Sequence, residues 1–175
     1  MHPSILDMTT ISAGLLLARL LVGLLMAGHG AQKLLGWFGG PGIAGAGAYF
    51  EQLGFRPGRF FATVASATEI LSGVLVALGL FGPVGPALML SVMIVAAVSV
   101  HWKNGLWAQG GGIELSLFYG TVAVALALTG FGRYSLDSLL GLQSLYTPAL
   151  AFVALAVGIF GGVGNLLARR PVATA

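Results

Sequence analysis

The sequence predicts an all-α polytopic membrane protein with five transmembrane helices. Three observations carry that prediction. Of the 175 residues, 57% are hydrophobic and only 7% are charged, against about 25% charged in an ordinary soluble domain. Mean hydropathy is +0.96. The apolar residues are gathered into five stretches, at 11–31, 60–81, 84–101, 113–130 and 146–168, each near the roughly 20 residues that carry a helix across a hydrocarbon core about 30 Å thick. None shows the short alternating pattern of a transmembrane barrel.

The first stretch reads as a retained helix and not a cleaved leader, because no basic residue precedes it and Arg19 lies within it. The second and third are divided by Phe81-Gly82-Pro83-Val84-Gly85-Pro86. Proline is tolerated in a first helical turn, so two antiparallel helices joined by a tight turn are expected. Loop 32–59 is apolar, aromatic and rich in glycine, and residues 44–53 are expected to form a short helix on the membrane surface. Trp37 and Phe38 suit the interface, or else line the entrance of a ligand cleft. The fifth stretch carries Ala154, Gly158 and Gly162 at four-residue spacing. Such a face suits close packing, on the chain's own bundle, on a partner subunit or on a second copy.

Five spans place the two termini on opposite sides. One side holds Lys33, Arg56, Arg59, Lys103, Arg169 and Arg170; the other holds Arg133. The positive-inside rule then makes the first side, with the C-terminus, cytoplasmic. The expected location is a bacterial inner membrane.

The net charge of +3 and a pI of 9.7 reflect a shortage of acids, not a basic stripe, so nucleic-acid binding is excluded. With no cysteine, so are disulfides, iron–sulfur clusters, thiolate zinc and c-type haem attachment.

An ionisable group in lipid costs at least a few kcal/mol unless it is paired or hydrated, so the few charges inside the spans are informative. At 100° per residue, Arg19, His29 and Lys33 share one face of the first helix. Glu69 is the one acid deep in a span, about 13 Å from the cytoplasmic end, on a face of small residues including Ala62, Ser66 and Gly73. Its simplest partner is Arg19, with His29 second. That pair either pins two helices or forms part of a proton or ligand site. His101 ends the third span and Glu114 opens the fourth, at the level of His29 and Lys33. The residues His29, Lys33, Glu69, His101 and Glu114 therefore form the candidate proton or ligand site. The duller reading of His101 and Glu114 is that of interfacial residues at helix ends.

With His2, His29 and His101 the only histidines, a two-haem, four-histidine cytochrome is excluded and one haem b remains open. His29, His101, Glu69 and Glu114 are acceptable metal ligands, but no tight spacing supports a site, and no metal is assigned. An apolar slot with a histidine and a carboxylate best suits a quinone, whose carbonyls need donors and whose protons need a carrier.

The stretch from Gly28-His29-Gly30 through Gln32-Lys33 to Trp37-Phe38-Gly39-Gly40-Pro41-Gly42 resembles the first signature of the DoxX family of small membrane proteins. Ala48–Gly54, Glu69–Gly73, His101–Gly105, Glu114–Leu117 and Gly130–Asp137 follow in the family's order. The resemblance spans about residues 15–140. It implies a four-helix membrane core over 11–140 with the interfacial loop 32–59, to which 146–168 adds a further helix. It also implies a residue set of His29, Lys33, Glu69, His101, Glu114 and Asp137. Asp137, near Ser135 and Arg133, falls at the opposite end, where it is expected to cap a helix or close a turn. The family is associated with thiosulfate:quinone oxidoreductase and other membrane redox complexes.

Two functions follow as expectations. One is an accessory subunit of a membrane redox complex, non-catalytic or holding a partner, with an intact bundle and the fifth helix as its docking face. The other is a quinone-interacting oxidoreductase subunit, with a cleft beside His29 and Trp37 and Phe38 at its entrance. A small ion-coupled transporter is a third, weakened by the absence of an inverted repeat. Partners are the bilayer and other membrane subunits or further copies of the chain.

Overall fold

A computed structural model describes residues 8–170. Over that range the chain is a polytopic helical bundle without strands: α1 (Met8–Leu35), α2 (Gly42–Gln52), α3 (Gly58–Leu78), α4 (Val84–Ala96), α5 (Glu114–Thr129), α6 (Leu136–Leu139) and α7 (Pro148–Leu167). A π-helical turn, Ala97–His101, and a 3-10 turn, Trp102–Asn104, extend α4 without a break. Four helices are long and apolar enough to span a membrane: α1, α3, α4 with its extension, and α7. The fourth expected span is the shorter α5, with 16 residues, about 24 Å.

Side chains are distributed inversely to those of a soluble protein. Large apolar residues such as Leu17, Leu21, Leu24, Phe118, Phe152 and Phe160 point outward, while Ala62, Ser66, Ser72 and Ala123 are buried. Lipid tails are as apolar as leucine, so helices associate through close packing of small residues. The α1–α3 seam is built this way. A Cβ on Gly23 would lie 2.5 Å from the Gly73 carbonyl oxygen, and one on Gly30 would lie 2.5 Å from that of Ser66. Beside this seam Met26, Val76, Met89, Met93 and Tyr119 fill the centre of the bundle.

The small-residue face of α7 packs on α4 of the chain's own bundle. Gly158 and Gly162 are buried, and Cβ atoms there would meet the backbone oxygens of Ala87 and Ser91 on α4. Ala154 is half-buried on the same helix. The far end of α7 is tied down as well. Arg169 Nε donates to the Leu53 carbonyl at 2.9 Å, with its guanidinium over the Phe55 ring, and Arg170 N donates to Gly54 O at 2.8 Å.

At the opposite end, the turn between α3 and α4 is closed by Asp137. Its carboxylate accepts from Phe81 N at 2.9 Å and Gly82 N at 2.7 Å, and its own N–H donates to Gly79 O at 3.0 Å. Phe81 and Gly82 both have positive φ, which turns their amides toward one acceptor. Ser135 caps α6 by accepting from Ser138 N.

Candidate functional site

A cavity of about 430 Å³ lies among α1, α2, α3, the end of α4 and α7. Its wall is mostly apolar, from Phe50, Phe55, Phe61, Val64, Val92 and Val95. Lys33, Glu69, His101, Thr68, Ser99 and Asn165 add polar groups to that wall. This is the character of a ligand pocket: apolar walls and a few placed polar groups, within the ~300–1,000 Å³ that such pockets occupy.

Glu69 sits eleven residues past Gly58, about 16 Å along α3, and is 3% exposed. Lys33 Nζ donates to its Oε1 as an ion pair. Its other oxygen, Oε2, is buried and has no hydrogen-bond partner among the described residues. An unsatisfied buried acceptor costs about 1–3 kcal/mol, and more when charged, so a group that supplies a donor there gains that much.

The expected Arg19–Glu69 pair is not formed. Antiparallel packing of α1 on α3 places Gly23 beside Gly73 and Ala77, so Arg19 lies near the C-terminus of α3. Its guanidinium donates to the Ala77 carbonyl oxygen, eight residues from Glu69 and so about 12 Å along the axis. A cation there complements the negative end of the α3 dipole. Lys33, about one turn beyond Gly30 on the same face of α1, has the reach that Arg19 lacks.

His101 belongs to the cavity wall. Its Nδ1 lies 2.6 Å from the Gly111 carbonyl oxygen. An Nδ1–H donated there leaves Nε2 as the acceptor nitrogen. The π-helical turn shifts the register at the end of α4, as such turns do at many functional sites.

His29 and Glu114 are not drawn into this group. His29 is exposed, and its ring meets Tyr119 of α5 edge-on at a centroid distance of 6.0 Å. The 80° between it and Arg19 on the helical wheel turns it toward α5, away from α3. Glu114 is exposed and holds the loop ahead of α5: its Oε2 accepts from Ala108 N at 2.7 Å. Among the described residues no three histidines or acids come together as a metal-binding group. His2 lies outside the described residues.

Trp37 and Phe38 are 59% and 75% exposed, pack edge-to-face at 6.2 Å, and do not line the cavity. The wall that loop 32–59 contributes comes from Gln32 and Lys33 at the end of α1, from α2 and the residue before it, through Pro41, Gly45, Ala46, Tyr49 and Phe50, and from Phe55 after it. Sequence reasoning also missed Asn165. It is the one polar side chain in α7, and the rule that singled out Glu69, a polar group among apolar neighbours in a span, identifies it too.

Residues 14–102 match the DoxX family. Lys33, Glu69 and His101 fall inside that match, while Glu114, Asp137 and Asn165 fall beyond it. An uncharacterized membrane protein of Mycobacterium tuberculosis, Rv3486, is 34% identical over 131 residues, covering 68% of this chain and 76% of its own length. No solved structure matches the chain.

Proposed function

The chain belongs to the DoxX family of small membrane proteins, and from that premise we propose that it supplies a membrane-embedded binding site for a quinone-type ring lipid within a larger redox assembly. The observation that carries this reading is the apolar cavity, with the Lys33–Glu69 pair and His101 in its wall. A ring with two polar oxygens needs apolar faces around it and a few polar groups at its edge. Glu69 and His101 are groups able to take up or release the protons that accompany reduction of such a ring. The electrons come from a partner subunit or a single bound cofactor, because the chain has no cysteine to hold a thiolate-bound redox centre.

The reading as a purely accessory subunit expects a bundle without a cleft and α7 free to dock. The cavity and the seating of α7 on α4 favour the ligand-binding alternative. Part of the accessory reading is retained, in that the chain works beside other subunits. The basic side, with Lys33, Lys103 and Arg169, is placed in the cytoplasm of a bacterial inner membrane, with the N-terminus outside. Glu69 is then reached from the cytoplasmic half of the bilayer.

The test is extraction of the native protein in mild detergent, followed by analysis of both co-purifying proteins and the organic extract. The expected result is a stoichiometric quinone that is lost in Glu69→Gln while the protein keeps its helical content. A partner complex with no ring lipid, unchanged by that substitution, overturns the proposal.

A further inference from the structure

We infer that a slot between α3 and α7, floored by α4, opens the cavity sideways to the hydrocarbon and holds the chain of the ring lipid, with Gly161 as the residue that keeps it clear. The inference rests on the ligand class proposed above and adds the route by which that ligand enters and the seat of its tail.

α3 and α7 each pack on α4 but not along one another. The gap between them leads off the cavity. Its α3 rim is Val64 and Thr68, both in the cavity wall, and Val64 is exposed on the outer face of its helix. Its α7 rim is Asn165, also in the wall, and the exposed Gly161 one turn earlier. Ser91 and Val95 of α4 form the floor. The polar groups of the rims engage their own helices: Thr68 Oγ1 donates to Val64 O at 2.8 Å, and Asn165 Nδ2 to Gly161 O at 2.9 Å. Such back-bonding lets a polar side chain border hydrocarbon.

The gap lies at hydrocarbon depth. Val64 and Thr68 are six and ten residues past Gly58, about 9 and 15 Å along α3, in a core about 30 Å thick. The cavity wall has a second exposed stretch, Gly45 and Tyr49 of α2. That helix is at the membrane surface, because Gly47 sits against Arg59 at the start of α3, where a Cβ would lie 3.0 Å from the Arg59 Cα. An alkyl chain leaving past α2 would meet headgroups and water, which is costly for every methylene. Leaving between α3 and α7, it stays in lipid. Slot and lipid are equally apolar, so the slot supplies an exit for the chain and little affinity. Glycine at 161 leaves that exit open. A Cβ there would have the rotatable Ser91 Oγ as its near neighbour, at 3.3 Å, so a larger side chain can be accommodated and would stand in the slot.

The test uses the full-length protein in lipid nanodiscs. The probe is decylubiquinone with a photoreactive diazirine midway along its chain, and unmodified decylubiquinone is the competitor. The expected result is competable labelling within residues 60–71 of α3 or 157–165 of α7. Competable labelling that misses both rims overturns the slot and leaves the ligand class standing. No competable labelling of folded protein overturns both. Gly161→Phe is expected to weaken decylubiquinone binding about tenfold or more, as overpacking of a filled site does. Gly164→Phe, on the same helix where a Cβ meets open space, is expected to leave it within about twofold. Equal affinity in the two variants also overturns the slot. The labelling pattern needs no variant, so it decides the question even if Gly161→Phe fails to fold.

Discussion

Lys33 reaches Glu69 across the α1–α3 seam and engages one of its two carboxylate oxygens, leaving the other buried and without a donor among the described residues. The two side chains differ in exposure: Lys33 is 33% exposed and Glu69 is 3% exposed. That asymmetry sets what happens when either is replaced.

Lys33→Met strands a buried carboxylate, whereas Glu69→Gln leaves a lysine able to reach water. Breaking a buried pair by removing one partner costs about 3–5 kcal/mol, and the exposed partner is discounted for solvent screening. Lys33→Met is therefore expected to lower the thermal midpoint in detergent more than Glu69→Gln. Equal losses would show that the carboxylate is not buried as described.

A double-mutant cycle separates the two cations of α1. Lys33 and Glu69 are expected to couple by about 1 kcal/mol or more. Arg19→Met and Glu69→Gln, at groups about 12 Å apart along the seam, are expected to add within roughly 0.5 kcal/mol. Strong coupling between Arg19 and Glu69 would restore the pairing that the sequence alone suggests.

Two glycines of α1 make a sharper contrast. Gly23→Val puts atoms into the Gly73 carbonyl and the Ala77 backbone, whereas Gly28 has open space where its Cβ would stand. Gly23→Val is expected to abolish the monodisperse peak in detergent size exclusion. Gly28→Ala is expected to be neutral, or to stabilise by up to about 1 kcal/mol through helix propensity.

Asp137→Ala removes the acceptor from the Phe81 and Gly82 amides. A loss of about 1–3 kcal/mol follows from a buried donor left without a partner. Ligand affinity is expected to be unchanged, because the cavity lies toward the other end of the bundle. A change in affinity at unchanged stability would contradict a purely structural role.

Asn165→Leu keeps volume and removes the polar group that α7 brings to the cavity. The expected outcome is weaker retention of a bound ring lipid at an unchanged thermal midpoint. An unchanged ligand content would mean that α7 contributes only apolar wall.

Much of this architecture was legible in the chain. The cost of exposed backbone and charge in lipid fixes helix count and placement within a few residues, so α1, α3, α4 and α7 fall where hydropathy puts them. The same cost singles out Arg19 and Glu69, since a charge in a span must have a partner, while Lys33, just past the first stretch, enters through the helix face it shares with Arg19. The partner itself was not legible. A helical wheel gives the face on which a residue lies but not its height against the neighbouring helix. That height is set by the fit of Gly23 and Gly30 against Gly73 and Ser66, which puts Arg19 at the end of α3 and Lys33 beside Glu69. In the same way, residues at one membrane level need not meet. His29 turns to Tyr119 and Glu114 to its own loop, and only His101 joins the cavity. The small face of α7 marked a close contact, but only the packing of Gly158 and Gly162 on Ala87 and Ser91 identified its occupant as α4. Sequence thus determined which groups must be buried and paired, because lipid penalises each of them locally. Tertiary structure alone decided with what, because pairing depends on the relative height and rotation of helices that are distant in the chain.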